Sequence, residues 1–278
     1  MGEATTPIVY WAPGDELARY VTGFHRFSAP SMAGGYRDAF FPGGASIRLT
    51  LEHDRDWSVR LGNRTFDPVP RDAFFGPSSS ASYLTTYGGT VVGVGLLPLG
   101  WAQLFGGDIA RYANRIVPLA EVDAGGSTLR EALEAGEPPQ EAFTRWLTAR
   151  LHRRPPADPR IEQLSALLED PATTRIEMMA DALQVTQRGL AAMTRFNFGF
   201  TPKLLLRRTR FMRALSGVLI DPARGSEVLD ATGYWDRSHF LRDSHLFLGC
   251  SVRDFQRRRG PLNQLAFTAR EEALGSPV

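Results

Sequence analysis

The chain has 278 residues, 43% of them apolar, with 32 basic and 30 acidic side chains and a net charge of +2. That length and apolar share suffice for two ordinary folded domains and exclude a chain too polar to bury a core, while the near-cancelling charge gives no general attraction to nucleic acid or membrane surfaces. A single cysteine, Cys250, excludes an intrachain disulfide and any multi-cysteine zinc cluster.

The chain opens on "MGEATTPIVYWAPGDE", which carries acidic residues and no apolar segment of signal-peptide length. From about Phe24 to Pro98, short runs rich in β-branched and aromatic residues ("ASIRLTLEH", "WSVRLGN", "AFFGP", "SYLTTYGG", "TVVGVGLLP") alternate with Gly, Pro, Asp and Ser. This spacing predicts a small all-β barrel or sandwich. The most apolar stretch, "TVVGVGLLPLGWAQLF", is interrupted by glycines and Pro98 and is too short to span a bilayer, so a cytoplasmic protein with no membrane partner is expected.

From Trp101 the pattern becomes helical, with "STLREALEAG" and "PPQEAFTRWLTARLHRR" as amphipathic candidates. The second is a candidate dimer or interdomain surface, or a helix packed on its own barrel. "RRPPADP", residues 153–159, has linker composition. Residues 1–152 are therefore expected to form a β-rich domain with C-terminal helices, residues 160–260 a helical domain, and residues 261–278 a flexible tail.

Within the helical half, Thr174 and Glu177 have capping-box spacing ahead of Ile176, Met179, Ala180 and Leu183. Thr186 caps a second predicted helix with Leu190, Met193 and Phe196 as inward candidates. Thr201 and Pro202 begin a long basic helix, "KLLLRRTRFMRALSGVL". From Gln187 to Arg213 there are seven basic residues (Arg188, Arg195, Lys203, Arg207, Arg208, Arg210, Arg213) and no acidic one. "GSEVLDAT" predicts a helix leading to Gly233; Asp236 caps the next, and Gly249 ends it.

A shift of fifty residues superposes Thr186 on Asp236, Leu190 on Phe240, Gly199 on Gly249, Thr201 on Ser251 and Lys203 on Arg253. Cap, inward apolar residue, terminating glycine, next cap and following base coincide, which predicts a duplicated helix–turn–helix unit on one connecting helix. Such a pair can enter successive major-groove segments about 34 Å apart on one face of DNA.

On these residues, "LQVTQRGLAAMTRFNFGFTPKLLLRRTRFMRAL" and "GYWDRSHFLRDSHLFLGCSVRDFQRR", positions 176–256 resemble the DNA-binding domain of the AraC/XylS family of bacterial transcription regulators. The N-terminal half more faintly resembles the cupin-like sensor halves of some such regulators, through "FFPGGASIRLTL" and "GVGLLPLGWAQLFGGDIARYANRIVPLAEV". The implied fold is a multidomain α+β chain: a cupin-like β barrel with flanking helices, then two helix–turn–helix units joined by a linker helix. The implied function is sequence-specific transcription regulation, with an activator among the family roles. Its implied partners are double-stranded promoter DNA, RNA polymerase, a small-molecule effector and a second copy of the chain.

The outward positions matching the family's base readers are Gln187, Arg188, Ala191 and Ala192 in the first unit, and Ser238, His239 and Arg242 in the second. Arginine pairs with guanine, whereas alanine offers only a methyl contact to thymine, so more discrimination is expected from the second unit. Thr186, Arg195, Thr201, Lys203, Arg207, Arg208, Asp236, Ser251 and Arg253 are the phosphate-contact candidates, partly through backbone N–H groups at helix starts. Three departures from the family pattern bear on stability: Thr194 and Ser244 stand where it buries phenylalanine, and Leu229 where it keeps a small residue.

For a ligand pocket in the β domain the candidates are Tyr36, Arg37, Phe41, Trp57, Phe66, Tyr83 and Trp101. His25 and His53 lack the His-x-His type of motif a cupin metal needs, so no metal and no cofactor are expected. Neither a Gly-x-Ser-x-Gly elbow nor a phosphate-binding loop occurs, and no enzymatic role is expected. Two alternatives stay open: a protein-interaction or ligand-binding protein whose helical units no longer read DNA, and, further off, a cupin-type enzyme.

Overall fold

Strand grammar in the first hundred residues yields two antiparallel sheets in a computed structural model that describes residues 7–52 and 55–274. The strands are β1 (Ile8–Trp11), β2 (Val21–Ala29), β3 (Tyr36–Phe40), β4 (Ala45–Glu52), β5 (Ser58–Leu61), β6 (Arg64–Phe66), β7 (Asp72–Phe75), β8 (Ser82–Thr86), β9 (Gly89–Leu96) and β10 (Ile116–Pro118). One sheet has the order β1-β2-β9-β4-β7-β10 and the other β3-β8-β5-β6. Val59 and Leu84 of the smaller sheet pack on Ala73 and Ile116 of the larger.

Alternation in the larger sheet assigns its two faces. Phe24, Ile47, Leu49, Val92 and Val94 point away from the smaller sheet, into a core with Phe143, Trp146 and Leu147. Those three belong to α3 (Pro139–Leu151), which follows α1 (Pro98–Gly100), a π turn (Trp101–Phe105) and α2 (Gly126–Glu134). The segment "PPQEAFTRWLTARLHRR" therefore spends its apolar face on its own sheet, and that face is closed to a dimer partner. Trp101 also lies in this core, its Nε1 donating to Gly107 O at 2.9 Å.

Residues 153–159 are pinned rather than loose. Buried Gln103 donates through Nε2 to Leu151 O at 2.9 Å and accepts from Ala157 N at 2.7 Å. Beyond them come α4 (Arg160–Glu169), α5 (Ile176–Ala182), α6 (Gln187–Phe198), α7 (Pro202–Ile220), α8 (Gly225–Ala231), α9 (Arg237–Leu248), α10 (Val252–Arg258) and α11 (Pro261–Leu274). The fold is thus α+β, a β-rich half followed by an all-helical half. No helix among the described residues is long and apolar enough to cross a membrane.

The expected capping box at Thr174 does not form. Arg175 occupies the cap position of α5 without a side-chain bond, and the Thr174 hydroxyl approaches Met178 Sδ at 3.9 Å instead. A second departure is at the C-terminus, where a flexible tail was expected: residues 261–274 are helical, and Leu262 and Ala266 are buried. The reason is Asp38, only 2% exposed, whose carboxylate accepts from Gly260 N at 2.7 Å and Asn263 N at 3.0 Å. Tyr36 OH donates to the same carboxylate at 2.7 Å and accepts from Leu262 N at 2.9 Å.

A buried anion with these donors satisfies the otherwise orphaned N–H groups of the first turn of α11. Replacing it leaves them unpaired, so Asp38→Ala is expected to lower stability by about 2–3 kcal/mol. Urea unfolding should show this as a lower midpoint at unchanged slope, with earlier proteolysis in α11.

Candidate nucleic-acid interface

The two repeated helices, α6 and α9, are built by the same three devices. Thr186 Oγ1 accepts from Gly189 N at 3.1 Å to start α6, and Asp236 Oδ1 accepts from His239 N at 2.6 Å to start α9. Gly199 (φ +84°) and Gly249 (φ +73°) end them in the left-handed region, which a side chain would strain. Thr201 and Ser251 cap α7 and α10 in turn. All six residues were legible as caps and stops in the repeat.

The inward face of α6 buries Leu190, Thr194, Asn197 and Phe198; that of α9 buries Phe240, Asp243, Ser244, Phe247 and Leu248. The two hydroxyls that replace phenylalanine are both satisfied. Thr194 Oγ1 donates to Ala191 O at 3.1 Å, and Ser244 Oγ donates to Cys250 O at 2.6 Å. Phe198 and Phe247 fill the neighbouring space, whereas Phe196, expected to point inward, is 49% exposed. Leu229 is accommodated because the close approach of α7 and α8 is provided elsewhere: a Cβ at Gly217 would sit 2.6 Å from Val228 Cγ1.

Sequence reading passed over Asp243, which is wholly buried. Arg207 donates to it through Nε at 2.7 Å, Arg210 through Nη2 at 3.4 Å, and Tyr234 OH at 2.7 Å. Burial, then the adjacent carboxylate, holds the Tyr234 phenol above its usual range. The cluster bolts α9 to α7 and to the turn before α9. Its signal was present as spacing, because Phe240, Asp243, Ser244 and Phe247 fall on one helical face, but an aspartate between Arg242 and His245 reads as solvated charge.

The outward residues divide into free and engaged. Gln187, Arg188 and Ala192 on α6 and Ser238 and Arg242 on α9 are exposed, with Ala191 half-buried. Gln187 Nε2 also donates to Glu177 Oε1 at 3.2 Å. His239 is turned inward, its ring 5.0 Å from that of Tyr234 and its Nε2 3.1 Å from Arg210 Nη2. The outward position in its place is Leu241, 47% exposed. The fifty-residue offset from Ala191 lands on it and could have found it.

Among the phosphate candidates, Thr186, Arg195, Lys203, Asp236 and Arg253 are exposed, and Thr201 and Ser251 half-buried. Arg207 and Arg208 depart from expectation. Arg207 is held by Asp243, and Arg208 Nη1 donates at 2.8 Å to Ser78 O of the β half. Burial pulls the Arg208 guanidinium down to about 10.

That contact is part of a continuous seam. Ala81 N donates to Phe247 O at 2.7 Å, and Tyr83 OH to Leu248 O at 2.5 Å, joining β8 to the C-terminal end of α9. Burial and the Cys250 thiol push the Tyr83 phenol up to about 12. Phe41 and Phe255 pack with ring centroids 5.3 Å apart, while Leu99 joins the core of the first helical unit. Tyr36, Phe41 and Tyr83 are therefore seam residues, not pocket residues. Arg37 is exposed, Phe66 half-buried and Trp101 in the helix-covered core. Of the predicted ligand set, Trp57 lines the cavity between the sheets. His25 is buried beside Phe27, and His53 lies outside the described residues.

The helical half thus has two helix–turn–helix units on one connecting helix. That is the arrangement the sequence resemblance implied. No protein-family model matches the chain, and no curated protein matches it. Among solved structures it is similar to an apo ToxT variant from Vibrio cholerae strain SCE256, with a TM-score of 0.47, 10% identity, and coverage of 93% of this chain and 100% of that one. It is also similar to unsaturated fatty acid bound wild-type ToxT from the same strain, with a TM-score of 0.45, 11% identity, and coverage of 93% and 98%. A further match is the AraC-like transcriptional activator CuxR, with a TM-score of 0.20, 13% identity, and coverage of 73% and 74%.

Removing the Asp243 carboxylate leaves the buried Tyr234 hydroxyl unpaired and takes the partner from the part-exposed Arg207 and Arg210, which costs about 1–3 kcal/mol. Asp243→Ala is expected to unfold at correspondingly lower denaturant. Hydrogen exchange should show α9 losing protection ahead of α6.

Proposed function

We propose that the protein is a DNA-binding transcription regulator in which α6 and α9 read successive major-groove segments of promoter DNA and the β half responds to a small molecule. The observation that carries this reading is that both capped helix starts, with Arg188, Ser238 and Arg242, are exposed while both units are docked on the β half. An arginine fork at the start of a groove-lying helix suits guanine O6 and N7, and serine donates or accepts at either base type. Arg195, Lys203 and Arg253 lie on the exposed surface, where phosphate contacts would give affinity that falls as salt rises. An effector acts on such a protein by binding two domain arrangements unequally.

The specificity expected of the two copies is unequal. The first unit offers Arg188 followed by Ala191 and Ala192, whereas the second offers Ser238, Leu241 and Arg242. Leu241 is suited to a thymine methyl. A second reading, protein contact by these helices, is favoured by their exposed apolar side chains: Trp235 is 91% exposed, Phe196 49% and Leu246 43%.

Selection of bound sites from random DNA, followed by gel shifts at several salt concentrations, separates the two. Arg188→Ala and Arg242→Ala are each expected to weaken the selected site by about 1–3 kcal/mol and to relax one base position, with little change on scrambled DNA. Leu241→Ser should abolish preference for thymine at one position of the second half-site. Equal binding of selected and scrambled DNA by wild type and both arginine variants would favour protein contact instead.

A further inference from the structure

Strand β2 sends Phe24 into the helix-covered core, its ring 6.1 Å from that of Phe143, so Arg26 and Ser28, two and four residues on, lie on the same face of the larger sheet. Helical cover ends there. A cleft of about 490 Å³ opens between the turn from α2 to α3, at Gly136 to Pro139, and the ends of β2, β9 and β4. That volume falls within the range of small-molecule sites, roughly 300–1,000 Å³. The cleft lies on the opposite face of the sheet from the space between the two sheets.

Arg26 is half-buried, and its Nε is enclosed without a hydrogen-bond partner. No carboxylate among the described residues pairs with it. A guanidinium already stripped of water along one edge attracts an incoming anion at a lower effective dielectric than a fully solvated one, and its fork offers a carboxylate two parallel hydrogen bonds. Beside it, Ser28 Oγ and Thr90 Oγ1 lie 3.2 Å apart. Both hydroxyls keep hydrogen-bonding capacity for a ligand.

The opposite wall carries the counter-charge. Thr90 pairs in register with Ser28 on one side and Glu52 on the other, so the three stand in a row across β2, β9 and β4. Two strand spacings, roughly 10 Å, separate the outer backbones. Glu52 is exposed and forms no ion pair among the described residues, whereas Glu137, also at the cleft, is held by Arg145. One unpaired cation and one unpaired carboxylate thus face the same cleft without meeting each other. A dianion such as phosphate satisfies Arg26 but is repelled by two carboxylates, whereas a zwitterion satisfies Arg26 and Glu52 together. Leu51, Val92 and Leu133 supply an apolar floor, which suits an apolar side chain on that zwitterion.

Resting on the reading of the β half as an effector domain, we infer that this cleft binds a free α-amino acid with an apolar side chain, its carboxylate on Arg26 and its ammonium on Glu52. Titration calorimetry on the full chain without DNA tests this with L-leucine and L-phenylalanine, each against its N-acetyl and its amide derivative. Wild type is expected to bind at least one free amino acid, about tenfold more tightly than either derivative. Arg26→Met should remove the preference over the amide and leave the preference over the N-acetyl form. Glu52→Gln, at an exposed position, should do the reverse.

No binding of either amino acid, a derivative that binds wild type as tightly as its parent, or preferences that survive both substitutions overturns the assignment. Because these measurements contain no DNA, they fail independently of the site-selection and gel-shift result on which the regulator reading stands.

Discussion

A carboxylate with no exposed surface, held on α9 by Arg207, Arg210 and Tyr234, fixes how that helix sits on the connecting helix. Everything presented outward from α9 inherits its direction from that cluster. Ion pairs of this kind contribute little net stability, since desolvation offsets their attraction, but they tolerate few alternative geometries. At the repeat offset the first unit has Met193 opposite Asp243, packed in an apolar cluster with Leu190 and Leu205. One copy is therefore positioned by non-directional packing, the other by directional charge-assisted bonds.

The cluster also decides which cations of α7 remain at the surface. α7 carries a basic run, yet Arg207 and Arg210 are turned to Asp243, Arg208 to Ser78 O, and Arg213 Nη2 to Glu169 O at 3.0 Å. Arg207 and Arg208, expected at phosphates, are thus engaged within the protein, as are Arg210 and Arg213. Exposed bases remain on α6 (Arg188, Arg195), on α9 (Arg237, Arg242), in the first turn of α7 (Lys203) and on α10 (Arg253).

Local signals were legible wherever a single residue type has one geometric use. Thr186, Asp236, Thr201 and Ser251 read as caps, Gly199 and Gly249 as stops, and the repeat followed from their spacing; the strands "ASIRLTLEH" and "TVVGVGLLP" read as β4 and β9. What failed depends on partners remote in sequence. Tyr36, Phe41 and Tyr83 have the composition of a pocket, but the helical half covers the face they occupy. The segment after Gly260 has no strong helical stripe and gains its order from Asp38, more than two hundred residues away in the chain. His239 turns inward to Tyr234 and Arg210, and Leu241 stands exposed in its place.

Arg48 illustrates the deepest of these limits. In a strand with one wet face, alternation of Ile47 and Leu49 with Ser46, Arg48 and Thr50 reads as apolar inward and polar outward. Here both faces are covered, one by α2 and α3 and the other by the second sheet, so the polar set is enclosed as well. Period alone cannot separate a solvated face from an enclosed one. The distinction comes from the second layer: because β3, β5 and β8 close over β4, an ordinary surface pattern becomes a polar stripe inside an aromatic cavity, and a charge that would be neutral in its effect on a surface becomes a constraint on what the interior can hold.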